Sequence, residues 1–276
     1  MNLEPLLEAE GTAAFDLPVA LRERYGGSFG VGRPRLFANF VSTIDGVVAI
    51  PSLPRSNQLI AGGDDDDSFV MALLRTVADV VVIGSGTLHA SPNSLWTSAR
   101  PYPAAQASFA DLRRRLKLSA EPDLAVVTGS GDIDVSHPAL ERGAIVLTTH
   151  EGAGKLRGRL PASSSISSTG PGPRVDLKRA VALLHESGRQ RILTEAGPRI
   201  FGALVRAQLV DELFLTVSPL LAGRAAGQRR PGLIDDVELL PDIRVGTRLV
   251  DLRLGATHTF FRYALDYEGR RPLGHS

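Results

Sequence analysis

The chain has no cysteine among its 276 residues, which excludes disulfides, cysteine nucleophiles and thiolate metal sites. It equally excludes a zinc deaminase centre of the His-x-Glu…Pro-Cys-x-x-Cys kind. Charge of one sign is missing too. Thirty-one basic residues stand against 30 acidic ones, a formal net charge of +1, so no overall field draws the chain to nucleic acid or to a membrane. Long apolar runs are absent: none approaches the ~20 residues of a spanning helix. The start is acidic (Glu4, Glu8, Glu10) where a signal peptide would be basic. A soluble cytoplasmic protein is expected, with no membrane partner. There is no internal repeat.

What is present is organised around Arg191–Arg224. Arg191–Thr194 reads as a strand, Glu195-Ala196-Gly197-Pro198 as a turn, and Ile200, Phe201, Leu204 and Val205 recur at helical spacing before a strand at Asp211–Val217. Pro198 suits a first helical turn, where its missing N–H would have no partner anyway. A strand, a glycine turn and a helix start together make an anion site, because bare N–H groups and the positive helix end face one point. An ordinary structural β–α–β unit reads the same way on this turn alone.

Other segments add to it. Arg35–Ser42 is a strand that runs into the turn Thr43-Ile44-Asp45-Gly46, where Asp45 either caps the turn with its side chain or is held at the strand end beside a ligand. Gly62-Gly63 and four aspartates, Asp64–Asp67, precede a helix with Phe69, Leu73, Leu74 and Val77 on one face. Carboxylates in a first turn oppose the helix dipole, which accounts for most of the four; one of them is free to face a ligand. Asp79–Gly84 is an apolar strand of the kind buried on both faces of a sheet, and it empties into Ser85-Gly86-Thr87. Two glycine turns after central strands point to one ligand, since open α/β sheets bind beyond the carboxyl ends of their strands. The loop His89–Pro103 carries Trp96, either a lid or a core plug. Ala104–Leu118 reads as a helix whose basic face (Arg113, Arg114, Arg115, Lys117) is solvated. That face is too small a footprint for nucleic acid. Strands follow at Leu124–Thr128 and Ala144–Thr148, a loop with one edge strand over 151–173, and an amphipathic helix at Asp176–Ser187. Residues 225–242 are loop, and Gly246–Leu254 with Thr257–Leu265 form an antiparallel hairpin. Leu3, Leu6 and Leu7 suggest a helical stripe in an N-terminal arm, residues 1–34, that packs on this domain or on a second subunit. The expected architecture is α/β: a mostly parallel twisted sheet, helices on both faces, a C-terminal antiparallel hairpin, over 35–268, and a tail at 269–276.

Three segments, Thr43–Gly46, Leu73–Thr87 and Leu193–Gly223, together resemble the reductase domain of the bifunctional riboflavin-biosynthesis deaminase–reductase, in the dihydrofolate-reductase-like superfamily. The resemblance covers about residues 35–265. It implies NADPH-dependent reduction of a phosphoribosylamino-pyrimidine at ribose C1′, and a homodimer. It places Gly197, Pro198, Arg199, Ile200 and Phe201 on the cofactor phosphates and Gly84, Ser85, Gly86 and Thr87 on the cofactor. Ser91, Thr128 and Thr148 complete that side. Glu195 and Arg75 face the substrate, with Arg75 the partner for a phosphate or else a surface helix residue. Asn39, Thr43, Leu95, Arg100 and Leu220 complete the substrate side. Glu195, Asp45 and Asp67 are the candidate catalytic carboxylates, and no metal is implied. Lys155, Arg157 and Arg159 are candidates for a 2′-phosphate. One departure matters: the family's Asp-Asp-Pro-x-Leu-Thr-x-Arg stretch is replaced by His89–Arg100, without either aspartate. Two other readings remain. Dihydrofolate reduction needs a carboxylate deep in the pocket, for which Asp67 is the candidate. A non-catalytic NADPH-binding paralogue would have lost its substrate-side residues.

Overall fold

The computed structural model describes residues 2–53 and 55–267. Their strands are β1 (Glu4–Glu8), β2 (Arg35–Thr43), β3 (Val80–Gly84), β4 (Asp123–Thr128), β5 (Ile145–Thr148), β6 (Ser165–Ser168), β7 (Arg191–Thr194), β8 (Glu212–Ser218), β9 (Val245–Leu254) and β10 (Thr259–Tyr267). All join one sheet in the order β1-β9-β10-β8-β2-β7-β3-β4-β5-β6. From β8 to β6 every pairing is parallel; β10, β9 and β1 extend the other end antiparallel. The expected tail, residues 269–276, lies outside the described residues.

The helices are α1 (Val19–Tyr25), α2 (Ser56–Ala61), α3 (Asp65–Val77), α4 (Ser85–Ala90), α5 (Gln106–Arg115), α6 (Pro138–Arg142), α7 (His150–Leu156), α8 (Leu177–Glu186) and α9 (Pro198–Arg206). Strand alternation sorts them into two layers. Phe37, Val81, Ile83, Val126, Leu193 and Phe214 point to one face, where α1, α3, α5 and α6 cover them. Leu36, Ala38, Val80, Val82, Ile192 and Leu213 point to the other, against α8 and α9. Because both faces are covered, β3 is apolar throughout and buried at every position.

The N-terminal arm corrects the expected helical stripe. Glu4–Glu8 is an edge strand paired with β9 (Glu4 to Leu254, Glu8 to Asp251), with Leu3 buried and Leu6 and Leu7 exposed. The arm packs on its own sheet. Arg253, with no exposed surface, donates to the carbonyls of Tyr25 at 2.9 Å and Gly26 at 3.0 Å, to Asp251 at 3.0 Å, and to Glu8. Its guanidinium lies 3.9 Å from the centre of the Tyr25 ring. Burial and the neighbouring Asp251 carboxylate push the Tyr25 phenol well above its usual range.

Candidate active site

Parallel pairing brings the carboxyl ends of β8, β2, β7, β3, β4 and β5 to one edge. Strand β7 sits between β2 and β3, and its pairing with β3 reaches Val82–Thr194 and continues as Glu195 N–H to Val82 O at 2.9 Å. The turns after β3 and β7 therefore lie side by side. A Cβ on Gly84 would come 2.7 Å from Ile200 Cδ1, so glycine is what permits this approach. Helix α4 starts from Gly84 and α9 from Gly197, and neither start is capped by a side chain. A Cβ at Gly86 or Gly197 would meet nothing within 4 Å. Two uncapped helix starts thus face open space together, in the arrangement that suits an anion. Arg199 is exposed and reaches Asp235 at 3.5 Å, while Phe201 is buried against Phe40.

Helix α3 stands on the face opposite α9 and shows how four adjacent aspartates divide their work. Asp64 is the N-cap, its Oδ1 accepting from the N–H of Asp66 and of Asp67 at 2.9 Å each. Asp65 is exposed. Asp66 accepts from Ala256 N–H at 2.9 Å and meets Arg24 at 2.5 Å, tying the helix start to the β9–β10 turn and to α1. Asp67 points inward. It is 5% exposed, and burial pushes its carboxyl up to about 6, with the Thr216 hydroxyl and the His258 ring acting the other way. A carboxyl that titrates close to neutrality holds or yields a proton under working conditions.

Two turns further along α3, Arg75 meets Glu195. Nε lies 2.8 Å from Oε1 and Nη2 2.6 Å from Oε2, both side chains being nearly buried. Arg75 is neither a surface residue nor a free phosphate fork; its Nε–Nη2 edge belongs to Glu195. The helix is also fixed at its far end. The expected solvated face of α5 is corrected at Arg113, which is 1% exposed and donates to the carbonyls of Thr76 at 2.8 Å, Ala78 at 3.0 Å and Arg75 at 3.3 Å. Those are orphan acceptors at a helix C-terminus. Desolvation lowers Arg113 to about 10.

On β2, Asn39 is half-buried and points to the α3 face, in register with Phe214. At the strand end Thr43 Oγ1 donates to Asp45 Oδ1 at 2.6 Å. The Asp45 carboxylate accepts from the N–H of Ala222 at 3.0 Å and of Gly223 at 2.9 Å. The Thr43 hydroxyl, followed by the Ala222 N–H, holds Asp45 down at about 2. Asp45 is therefore a hook between the turn after β2 and the loop after β8. Leu220, exposed in that loop, has its carbonyl bonded by Ile44 N–H.

The remaining expected residues scatter. Trp96 is a core plug, 5% exposed and 6.0 Å from the His137 ring, and Leu95 packs beside the same core. Ser91 lends its carbonyl to His137 Nε2 at 3.1 Å. Arg100 is exposed and bonded to Asn93 O at 2.9 Å. The side chains of Thr128 and Thr148 are buried beneath their own turns, Thr128 Oγ1 accepting from Gly131 N–H at 3.2 Å. Residues 150–156, expected as loop, form α7. Lys155, paired to Glu151 at 2.7 Å, lies in its last turn, and Arg157 and Arg159 follow it. Sequence reasoning missed Thr216 and His258 and read Arg113 as solvated, because each is defined by a partner distant in sequence.

With this geometry in view, the comparisons are decisive for the family. The RibD C-terminal domain profile matches residues 34–254. This chain belongs to the RibD C-terminal domain family. Solved structures agree on the fold. A pyrimidine reductase-like protein of Corynebacterium diphtheriae is 19% identical, with a TM-score of 0.60 over 91% of this chain and 96% of that one. RibD of Acinetobacter baumannii is 17% identical, TM-score 0.60, over 89% of this chain but 60% of its own length. The riboflavin biosynthesis reductase Rib7 of Saccharomyces cerevisiae is 16% identical, TM-score 0.57, over 91% and 95%. No curated protein sequence matches the chain. Among the described residues of this RibD C-terminal domain, no helix is long and apolar enough to cross a membrane.

Proposed function

We propose that this chain is an NADPH-dependent reductase of a pyrimidine or pterin-type heterocycle, first of all 5-amino-6-(5-phosphoribosylamino)uracil. Family membership and the names of the similar structures support the reaction class. The observation that carries the reading is a convergence at one sheet edge: two adjacent uncapped helix starts, at Gly84 and Gly197, and a buried carboxyl poised near neutrality, Asp67, at the start of α3.

The residues fit the cofactor. Gly84–Thr87 and Gly197–Phe201 offer N–H groups and two positive helix ends to a pyrophosphate, and Gly86 and Gly197 leave room for it. NADPH, when bound, supplies the hydride that saturates a C=N bond. The chain orients that bond and balances its proton. Asp67, protonated below about 6, donates to the substrate nitrogen or, ionised, holds an N–H pair of the ring. Glu195, fixed by Arg75, keeps a second carboxylate beside it. Asn39 and Thr43 line the same strand end.

A second reading, reduction of dihydrofolate to tetrahydrofolate, is favoured by two observations. Asp67 is buried at a helix start, as a pteridine's amino group and ring nitrogen require. The Arg75 edge that would bind a substrate phosphate is taken. The test is NADPH oxidation followed by absorbance with each substrate. Turnover of the phosphoribosylaminouracil supports the first reading and turnover of dihydrofolate alone the second. Tight NADPH binding with neither leaves a non-catalytic binding protein. A homodimer in the cytoplasm completes the proposal, on the family resemblance.

A further inference from the structure

His258 is a buried histidine that none of the chemistry above uses. It is 4% exposed, just before β10. Its Nδ1 lies 2.8 Å from Thr257 Oγ1 and 3.2 Å from Asp64 Oδ2, while its Nε2 is buried without a hydrogen-bond partner among the described residues. Register says what surrounds it. Thr259 pairs with Val217 and Phe260 with Thr216, so His258 comes level with Ser218 and shares the sheet face of Phe260 and Thr216. That is the face covered by α3. Ser218 Oγ is likewise buried and unpartnered. Two adjacent orphan polar groups and Thr216 therefore lie on the floor onto which Asp67 points. The link is short on the helix side too, since Asp64, which meets the ring through Oδ2, caps the Asp67 N–H through Oδ1.

We propose that His258 is the positioning residue that sets the protonation of Asp67: Asp64 and Thr257 hold the imidazole by Nδ1, and its Nε2 edge serves the floor shared by Asp67, Thr216 and Ser218. Other charges face this group as well. Asp66 stands on α3 with Arg24 of α1 paired to it, and Glu195 stands after β7 with Arg75 paired to it. Asp64 and Glu195 act to raise the Asp67 carboxyl, and the His258 ring, held beside Asp64, acts the other way. A neutral substitute at 258 raises the Asp67 pKa, since the ring it replaces favoured the ionised carboxylate.

The inference rests on Asp67 as the proton-bearing carboxylate of the proposed site, but its test needs no turnover. Infrared difference spectra of the full chain against pH follow the protonated carboxyl band, assigned to Asp67 by its loss in Asp67→Asn. In His258→Gln and His258→Asn that band should persist to higher pH, by about half a unit or more. In the unmodified protein, the His258 ring-proton resonance should show the Asp67 inflection and lose it in Asp67→Asn, a measurement that needs no variant at 258. Coincident Asp67 titrations in all chains, or a His258 resonance indifferent to Asp67→Asn, would overturn the assignment. Absence of NADPH binding would sink the reductase reading and leave this coupling standing.

Discussion

Arg75 and Glu195 meet fork to fork, Nε to Oε1 at 2.8 Å and Nη2 to Oε2 at 2.6 Å, from positions 120 residues apart. The pair joins α3 to the turn after β7. Removing one partner strands a buried charge, so Glu195→Leu or Arg75→Met alone should cost about 3 kcal/mol or more. The double variant Arg75→Met/Glu195→Leu should recover most of that loss. Urea unfolding of the four chains, read as a double-mutant cycle, checks it.

Asp67 should make stability fall with rising pH. Unfolded, the carboxyl ionises near 3.8; folded, it keeps its proton to about 6. Between those values the folded state binds the extra proton, so stability declines, and the decline is complete above the folded value. About two pH units correspond to about 3 kcal/mol. Asp67→Asn should therefore melt higher than the parent chain at pH 7 and at the same temperature below pH 4, while losing heterocycle binding. Calorimetry across that range checks the first part.

Arg113→Ala should destabilise by about 2–4 kcal/mol, because three helix-end carbonyls lose their donor in a dry site. Arg113→Lys should restore only part, lacking the planar fork. Thermal melts of both variants decide it.

Gly197→Asp tests the cofactor cradle. The side chain would enter open space, so the fold should persist. A carboxylate at the start of α9 should weaken NADPH binding at least about tenfold, by competing with a phosphate for the same N–H groups. Quenching or enhancement of nucleotide fluorescence on titration gives the constant.

Asp45 should let go at low pH. Its folded value is depressed to about 2, so its contribution is intact above the ordinary value of 3.8 and disappears as pH falls toward 2. Asp45→Ala should speed hydrogen exchange at the Ala222 and Gly223 amides, which mass spectrometry resolves by peptide.

The parts of the fold visible in the sequence were those with local causes. Asp79–Gly84, Arg191–Thr194 and the Gly197-Pro198 start of α9 are set by apolar runs and turn chemistry and lie within a residue of their expected bounds. The strand β1 left no such mark: its residues are exposed, and only pairing with β9 makes it a strand. Helix α7 hid in a glycine-containing stretch, where its Thr149 cap and Leu156 contact matter more than propensity. In the candidate site, Asp67 and the two glycine turns could be picked out by residue type and place, and Glu195 by the family resemblance. The locking of Arg75, the burial of Arg113 and the hook made by Asp45 could not, because each depends on a partner brought close by the sheet.

The β9–β10 turn looks like a remote surface bend, yet a Cβ on Gly255 would fall 2.6 Å from Asp66 Oδ2, and Ala256 N–H already bonds that oxygen. Asp66 and Asp67 are neighbours on one helical turn. Enlarging this outlying bend would act as a lever on the proposed site, so randomised libraries at 255 and 256 should yield altered Michaelis constants more often than misfolded protein.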